Sequence, residues 1–434
     1  MLNSIQRISL VVLVITVWSC GSKTEHTLNN QRVVITYWAA PNQQEMMLAS
    51  QLVSEWNKNN PDIYVRLQAL PANQSTEEVL MAAIAAKTTP DVCSNIWPGT
   101  VPEYVRANAL VRLSQFSDFD SLVNSRIGWD RMAQFRSADS QYYQIPWKTN
   151  PVMMIYNKNI FRAAGIKEPP HTYSDFLYDA RKLTFDSNGD GVKDHWMGYR
   201  DIRPIWWQRY FDFFTFYCAA SHGHPIVSND EVNADTAAIE KVYDFFQKCF
   251  SNQYFPRTTF QYDPFIAGVV ATEFVGPWTI SYIQQNFPDR INYGIAPVPV
   301  PDSAGGPVYT YGDHKSIVIF STTRHPEKSW RFVKYLLSVK ADLNLLEIAS
   351  QIPVRKDILE ESQFKKFFNK NKLMKIFAEQ STYAKEVDQS YDQKEIFDSI
   401  AQEFEKCSVY GKETPGDAAK NLLKRIKLII NWDR

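Results

Sequence analysis

The sequence predicts an α/β fold built in two lobes, and three observations carry that expectation. Runs of β-forming residues alternate with runs whose apolar residues recur at helical spacing, the order that gives βαβ units and a mainly parallel sheet. The same alternation starts again beyond residue 150. The chain has 434 residues, more than one hydrophobic core organises and comfortable for two.

Val33-Val34-Ile35-Thr36-Tyr37-Trp38 is a dense β-forming run and reads as a buried strand. Met46, Ala49, Leu52, Val53 and Trp56 then fall at helical spacing, and Asn59-Asn60-Pro61 ends that helix. Ile63, Val65 and Leu67 alternate as in a second strand. Ser75-Thr76-Glu77-Glu78 has the form of a capping box opening a helix through Val79, Leu80, Ala83 and Ile84. Pro90 to Ser94 reads as a third short strand. In the second half, Val152 to Tyr156 is an apolar strand, and Thr172-Tyr173-Ser174-Asp175 caps a helix carrying Phe176, Ala180 and Leu183. Tyr293 to Val298 is a short strand or turn interrupted by Gly294 and Pro297. Ile317-Val318-Ile319-Phe320 is a strand, followed by a helix with Trp330, Val333 and Leu336. From about residue 356 the chain reads as helical and charged, with Phe364, Phe367, Phe368, Leu373 and Phe377 as packing residues.

The N-terminus reads as an export signal. Arg7 is the only charged residue before position 23, and the apolar run Ile8 to Trp18 follows it. That run is shorter than the roughly 20 residues a bilayer span needs. It ends in Val17-Trp18-Ser19-Cys20-Gly21, which resembles the bacterial lipobox, where the Cys thiol is lipidated and becomes the new N-terminus. The expectation is an exported chain held at a membrane surface through Cys20, with Gly21 to Gln31 as a flexible tether.

Removing residues 1–19 leaves 415 residues and takes away Arg7, so 47 basic residues become 46 against 47 acidic, a net charge of −1. Near-neutrality argues against nucleic acid as a partner, which favours strongly basic surfaces. Cys93, Cys218, Cys249 and Cys407 lie far apart with no CxxC pair, which argues against zinc. Export permits disulfides, and four Cys allow three pairings among which the sequence does not choose. Aromatic residues make up 14% of the chain, with 12 Trp and 22 Tyr, enough to fill cores and leave rings for a stacking site.

Several collinear segments resemble the family 1 extracellular solute-binding proteins, the capture subunits of ATP-driven sugar importers. Tyr142-Tyr143-Gln144-Ile145-Pro146-Trp147 and Met154 to Phe161 look like the family's entry into its second lobe. Ala164-Gly165-Ile166, Pro169-Pro170 and Thr172 to Phe176 continue it in order. Phe274-Val275-Gly276-Pro277-Trp278 resembles the family's Gly-Pro-Trp element, Pro326 to Leu336 its late helix, and Ile352-Pro353-Val354-Arg355 a later turn. The resemblance spans about Val33 to Arg355. It implies a two-lobed periplasmic binding protein type 2 fold, with a hinge and a ligand cleft between the lobes. It also implies a carbohydrate ligand and an ABC transporter permease as membrane partner. Placed on this chain, it gives a first lobe of residues 32–149 and 306–350 and a second of residues 150–305 and 351–434.

Sugars present apolar C–H faces and hydroxyl rims, so a sugar site pairs aromatic platforms with carboxylates, amides and Arg. Trp278 in the Gly-Pro-Trp element is the first candidate platform. Trp38 and Trp97 lie at or just past the ends of expected strands, where open α/β sheets place ligand residues. Trp147 sits at the first crossover, and Trp206-Trp207 either line the cleft or anchor a helix. Tyr311 and Asp313 precede a strand at the second crossover, and Asp313 can accept hydrogen bonds from sugar hydroxyls. Arg355 completes the candidate set. Each of these residues has an alternative reading as core packing, a turn or a solvated surface group.

Asp186-Ser187-Asn188-Gly189-Asp190-Gly191-Val192-Lys193-Asp194 follows the EF-hand loop, with side-chain oxygens at Asp186, Asn188, Asp190 and Asp194, Gly191 at the sixth position, and the Val192 carbonyl at the seventh. Position twelve is Met197, so the usual bidentate Glu is missing. The loop is expected to hold Ca²⁺ in a structural role, or else to be a metal-free Asp/Asn/Gly turn. The rival functional class is a secreted carbohydrate-active enzyme using two carboxylates about 5 to 10 Å apart. GxSxG, HExxH and P-loop motifs are absent and the seven His are scattered, which leaves a binding protein, not an enzyme, as the expectation. A third class is the same fold holding a non-sugar solute, such as glycerol phosphate in a basic cleft or a polyamine in an acidic one.

Overall fold

The computed structural model describes residues 32–71, 75–203, 206–228, 231–388, 390 and 392–432. The export signal, the tether and Cys20 lie outside the described residues.

Two sheets organise the chain. The first has six strands in the order Ile352–Pro353, Gln144–Thr149, Lys315–Ile319, Val92–Ile96, Val33–Ala39, Ile63–Ala69. The second has four, in the order Tyr293–Ala296, Met153–Asn157, Val270–Val275, Trp196–Gly198. Helix Gln43–Asn59 buries Leu48, Ala49, Leu52, Val53 and Trp56 on the first sheet, and Asn42 caps its start by accepting from the Glu45 N–H. Helices Pro326–Leu336 and Val339–Ala349 complete that body, whose core gathers Ile35, Val65, Ile145, Ile317 and Phe332. The second body is denser in rings. Phe213, Phe216, Phe245, Phe246 and Phe404 meet where helices Trp206–Ala220, Thr236–Ser251, Gln393–Phe404 and Pro415–Trp432 pack together.

The sheets are mixed, which corrects the expectation of mainly parallel ones. Val33–Ala39 pairs in parallel with Ile63–Ala69 and with Val92–Ile96, as consecutive βαβ units must. Lys315–Ile319 returns from the other body and enters from the opposite end, so it pairs antiparallel, and Ile352–Pro353, reached through two helices of the same body, runs in the same direction as Lys315–Ile319. The chain passes between the bodies three times. It leaves after Thr149 for Met153, returns through Thr310–Tyr311 to Lys315, and leaves again after Pro353. Thr310–Tyr311 pairs with Ala384–Lys385, a short parallel ribbon separate from both sheets.

Two local expectations diverge. Thr172 and Asp175 form a reciprocal capping box at the helix Tyr173–Leu183. Ser75 begins the helix Thr76–Ala86 but caps nothing, because its hydroxyl donates to the Glu77 carboxylate at 2.5 Å and does not accept from the backbone. Cys93, Cys218, Cys249 and Cys407 are separate buried thiols with no disulfide among them. Among the described residues no helix is long and apolar enough to cross a membrane.

Candidate functional site

The two bodies face each other across a cleft that holds two neighbouring cavities, of about 520 and 350 Å3. Val275, Trp278, Asp313 and Lys315 line both. The larger cavity takes Asn42, Glu45, Lys148 and Gln351 from the first body, Asn150 from the crossing segment after Thr149, and Asp263, Glu273 and Tyr282 from the second body. The smaller takes Arg200, Trp207, Gln208, Phe211, Asp212 and Tyr311. Their sizes fall at the lower end of the range for small-molecule sites.

Trp278 opens the helix Trp278–Asn286 directly after Gly276-Pro277, and its ring is 37% exposed. Its six-membered ring folds back over Gly276 so closely that a Cβ there would meet it at 2.0 Å. The glycine therefore lets this ring lie against the main chain and keep a face toward the cleft. Tyr282, one turn further along the same helix, also shows an exposed ring in the larger cavity. Trp207, 41% exposed, is its counterpart in the smaller one.

The charged groups fall into pairs and a remainder. Glu45 and Lys148 form a buried ion pair, and Gln351 donates its amide N–H to Glu45 at 2.9 Å. Lys315 donates to Asp313 Oδ1 at 2.6 Å, and the Tyr311 hydroxyl reaches the same oxygen at 3.1 Å. In the smaller cavity Arg200 Nε lies 3.1 Å from Asp212, with its guanidinium 4.7 Å above the Phe274 ring. Glu273 has no such ion pair among the described residues. Burial, with the Asp263 carboxylate near it, pushes its carboxyl up to about 8, against a partial offset from Arg200.

The structure brings Trp207, Trp278, Tyr311 and Asp313 together at the cleft. Tyr311 backs the wall: its ring stacks on Phe211 at 4.7 Å, leaving the hydroxyl to orient Asp313. Trp97 does not offer a platform. It is buried beside Phe211 and Phe397 and donates its indole N–H to the Tyr311 hydroxyl at 3.2 Å. Trp147 lies in the first body's core, because every residue of its strand Gln144–Thr149 is covered. Trp38 is half-buried, donates to Gln68 Oε1 at 2.9 Å and lines neither cavity. Arg355 is buried in ion pairs with Asp342 at 3.0 Å and Glu361 at 3.2 Å, which bind the Ile352–Pro353 turn to neighbouring helices. The side chain of Trp206 lies outside the described residues.

Sequence reading missed Glu45, Lys148, Asn150, Asp263, Glu273 and Lys315. Two of them carried a signal. Lys148 sits in an apolar strand, and Glu273 interrupts the run Val270 to Val275; a lone charge in a buried strand asks for a partner or a ligand.

The Asp186–Asp194 loop lies apart from both cavities. Asp186 accepts from the N–H groups of Gly189 and Gly191, both at 2.7 Å, Asn188 Oδ1 from Asp190 N–H at 2.9 Å, and Asp190 Oδ1 from Val192 N–H at 2.8 Å. These bonds hold the Asp186 carboxyl below the usual range. Asp194 accepts from the hydroxyl of Ser187 in the same loop at 2.6 Å, and that bond with its neighbours brings it down to about 2. Among the described residues no group of three or more His, Cys, Asp or Glu is gathered to hold a metal ion. Asp186, Asn188 and Asp190 accept backbone N–H bonds within the turn, while Asp194 is bonded to Ser187.

Residues 51–375 match the family model of the bacterial extracellular solute-binding proteins. The maltotriose-binding protein of Pyrococcus abyssi is 25% identical over 350 residues, covering 77% of this chain and 69% of that protein. Among solved structures, an uncharacterized protein from Listeria monocytogenes superposes with a TM-score of 0.77 at 27% identity, covering 92% of this chain and all of that one. The maltose/maltodextrin-binding domain MalE from Bdellovibrio bacteriovorus, bound to maltotriose, shares the fold with a TM-score of 0.72 at 20% identity, covering 91% of this chain and 99% of that one.

Proposed function

The chain belongs to the bacterial extracellular solute-binding proteins, and on that premise we propose that it captures an oligosaccharide between its two bodies and delivers it to the permease of an ABC importer. The observation that carries this reading is the exposed Trp278 ring lining both cavities, with acids, amides and lysines of both bodies around it. A ring face with hydrogen-bonding groups at its rim matches the two surfaces of a sugar. The similarity to the maltotriose-binding protein of Pyrococcus abyssi and the maltotriose in the Bdellovibrio domain support the same class of solute. Three chain passages between the bodies give a hinge about which they can close, a motion common to two-lobed binding proteins. The test is calorimetry against a panel of sugars with product analysis of the same mixtures. Tight binding without turnover is the expected result; cleavage of a glycan would place the chain among the enzymes instead.

The anchor completes this reading. A soluble receptor working beside a permease gains from being tethered, and lipidation at Cys20 would supply more than one acyl chain, as stable attachment requires. The Cys20→Ser protein should be released from membranes with its solute affinity unchanged. Membrane retention of that variant would reject the anchor.

For the Asp186–Asp194 loop, the reading is a weak calcium site of structural role. Asp186, Asn188, Asp190 and the Val192 carbonyl would serve as ligands, with Asp194 joining once it leaves Ser187. The missing carboxylate at Met197 accounts for the weakness.

A further inference from the structure

We propose that the solute this cleft is built for carries a protonated amino group, making it an amino sugar or an oligosaccharide containing one, and that Glu273, Asp263 and Asn150 receive that group. The inference rests on the carbohydrate reading and narrows it.

Charge in the larger cavity is the first observation. Four acids line it, Glu45, Asp263, Glu273 and Asp313, against two bases, Lys148 and Lys315. Each base is spent on an acid of its own body: Lys148 on Glu45, and Lys315 on Asp313. Asp263 and Glu273 have no ion-pair partner among the described residues. Arg200, the cation that partly offsets Glu273, is committed to Asp212 at 3.1 Å. Asp263 places Oδ1 on the N–H groups of Phe265 and Ile266, at 3.0 and 2.9 Å, which fixes the carboxylate beside Glu273 without neutralising it.

The second observation is independent of charge. Asn150 lines the same cavity from the crossing segment that follows Thr149 and is 2% exposed, yet its Oδ1 has no hydrogen-bond partner among the described residues. Its Nδ2 reaches Gln351 Oε1 at 3.4 Å, which leaves the carbonyl as an acceptor waiting for a donor. A buried acceptor without a donor is destabilising, and a ligand that donates there removes that cost. Asn150 Oδ1, the Asp263 carboxylate and, once ionised, the Glu273 carboxylate are acceptors, and a solute matching them must be rich in donors. An ammonium offers three donors and a positive charge.

The rings are the third. Trp278 and Tyr282 expose faces in this cavity. An aromatic face attracts a cation as well as the C–H face of a pyranose, so the surroundings of Glu273 suit a sugar ring bearing an amine better than a neutral one. A cation brought to Glu273 also counters Asp263 and lets the Glu273 carboxyl ionise.

The experiment is calorimetry of the full-length chain at pH 7 with matched sets of mono- and disaccharides in both anomeric linkages. Each set holds a sugar with a free amine, its N-acetylated form and its neutral hydroxyl form, and spermidine serves as an amine without a ring. The expected result is binding of an amine-bearing sugar at least tenfold tighter than both partners in its set. In Glu273→Gln the ratio of affinities between the amine-bearing sugar and its neutral partner should fall to about one. Asn150→Ala should weaken the amine-bearing sugar more than its neutral partner. Neutral sugars binding as tightly as their amines would overturn this inference and leave the carbohydrate reading standing. Spermidine binding alone, or no binding by any sugar, would overturn both.

Discussion

Glu45 and Lys148 form an ion pair beneath the cleft, with side chains no more than 5% exposed, that joins the first turn of helix Gln43–Asn59 to the strand Gln144–Thr149. Gln351 donates to the same carboxylate, so one buried charge ties together three segments that meet at the hinge. Removing one member of a buried pair leaves the other charge uncompensated, at a cost of about 3–5 kcal/mol. Glu45→Ala is therefore expected to destabilise the protein by that amount in urea or guanidinium unfolding. The double variant Glu45→Leu with Lys148→Met should recover most of the loss. A single variant as stable as the parent would mean that the pair is solvated in solution.

Trp278 should matter for the solute and not for the fold. Its ring is 37% exposed, so truncation removes little packing, whereas a stacked sugar would lose its platform. Trp278→Ala should weaken sugar affinity by tenfold or more, about 1.4 kcal/mol, with an unchanged melting temperature. Gly276→Ala should reproduce much of that defect, because the added Cβ occupies the space of the ring. Parental affinity in both variants would remove the ring from the site.

These two cases also mark what the sequence could disclose. Trp278 is legible because its determinants are adjacent: Gly276 clears the space and Pro277 sets the turn. Glu45 and Lys148 are 103 positions apart, and nothing local announces that they meet. Trp97, just past the end of an expected strand, and Trp147, at the first crossover, are both candidate platforms in sequence. Only strand order decides that one supports Tyr311 while the other fills a core. Elements were readable from periodicity, whereas the antiparallel returns depend on which body the chain has come from, information that no local window holds.

The calcium loop makes a prediction about stability and not about the solute. Binding to the folded state alone raises stability by RT ln(1 + [L]/Kd), so millimolar calcium should raise the melting temperature and a chelator should reverse the effect. Asp190→Ala should abolish the response while leaving solute affinity untouched, since the loop lines neither cavity. A melting temperature indifferent to both calcium and chelator would reject the site.

Glu273 should leave a signature in the pH dependence of folding. Its carboxyl stands at about 8 in the folded protein, above the ordinary glutamate value, because burial and Asp263 disfavour the charged form. Asp263, Arg200, Tyr199 and Tyr282 are the charged and titratable groups that act on it or feel its charge. Below about pH 4.5 the carboxyl is protonated in both states, and the contribution of this group is fully present. As pH rises, the unfolded chain releases the proton first while the folded chain keeps it, so stability falls steadily up to about pH 8 and then levels. Gln has no proton to lose and should escape that decline. Other groups titrate in the same range, Asp388 at about 6 among them, so the difference between the two proteins is the quantity to measure. Between pH 5 and pH 8.5 the melting temperature of Glu273→Gln should rise progressively relative to the parent, with most of the gain before pH 8. Parallel curves would mean that Glu273 is already ionised in the open cleft, and that its charge is balanced by solvent.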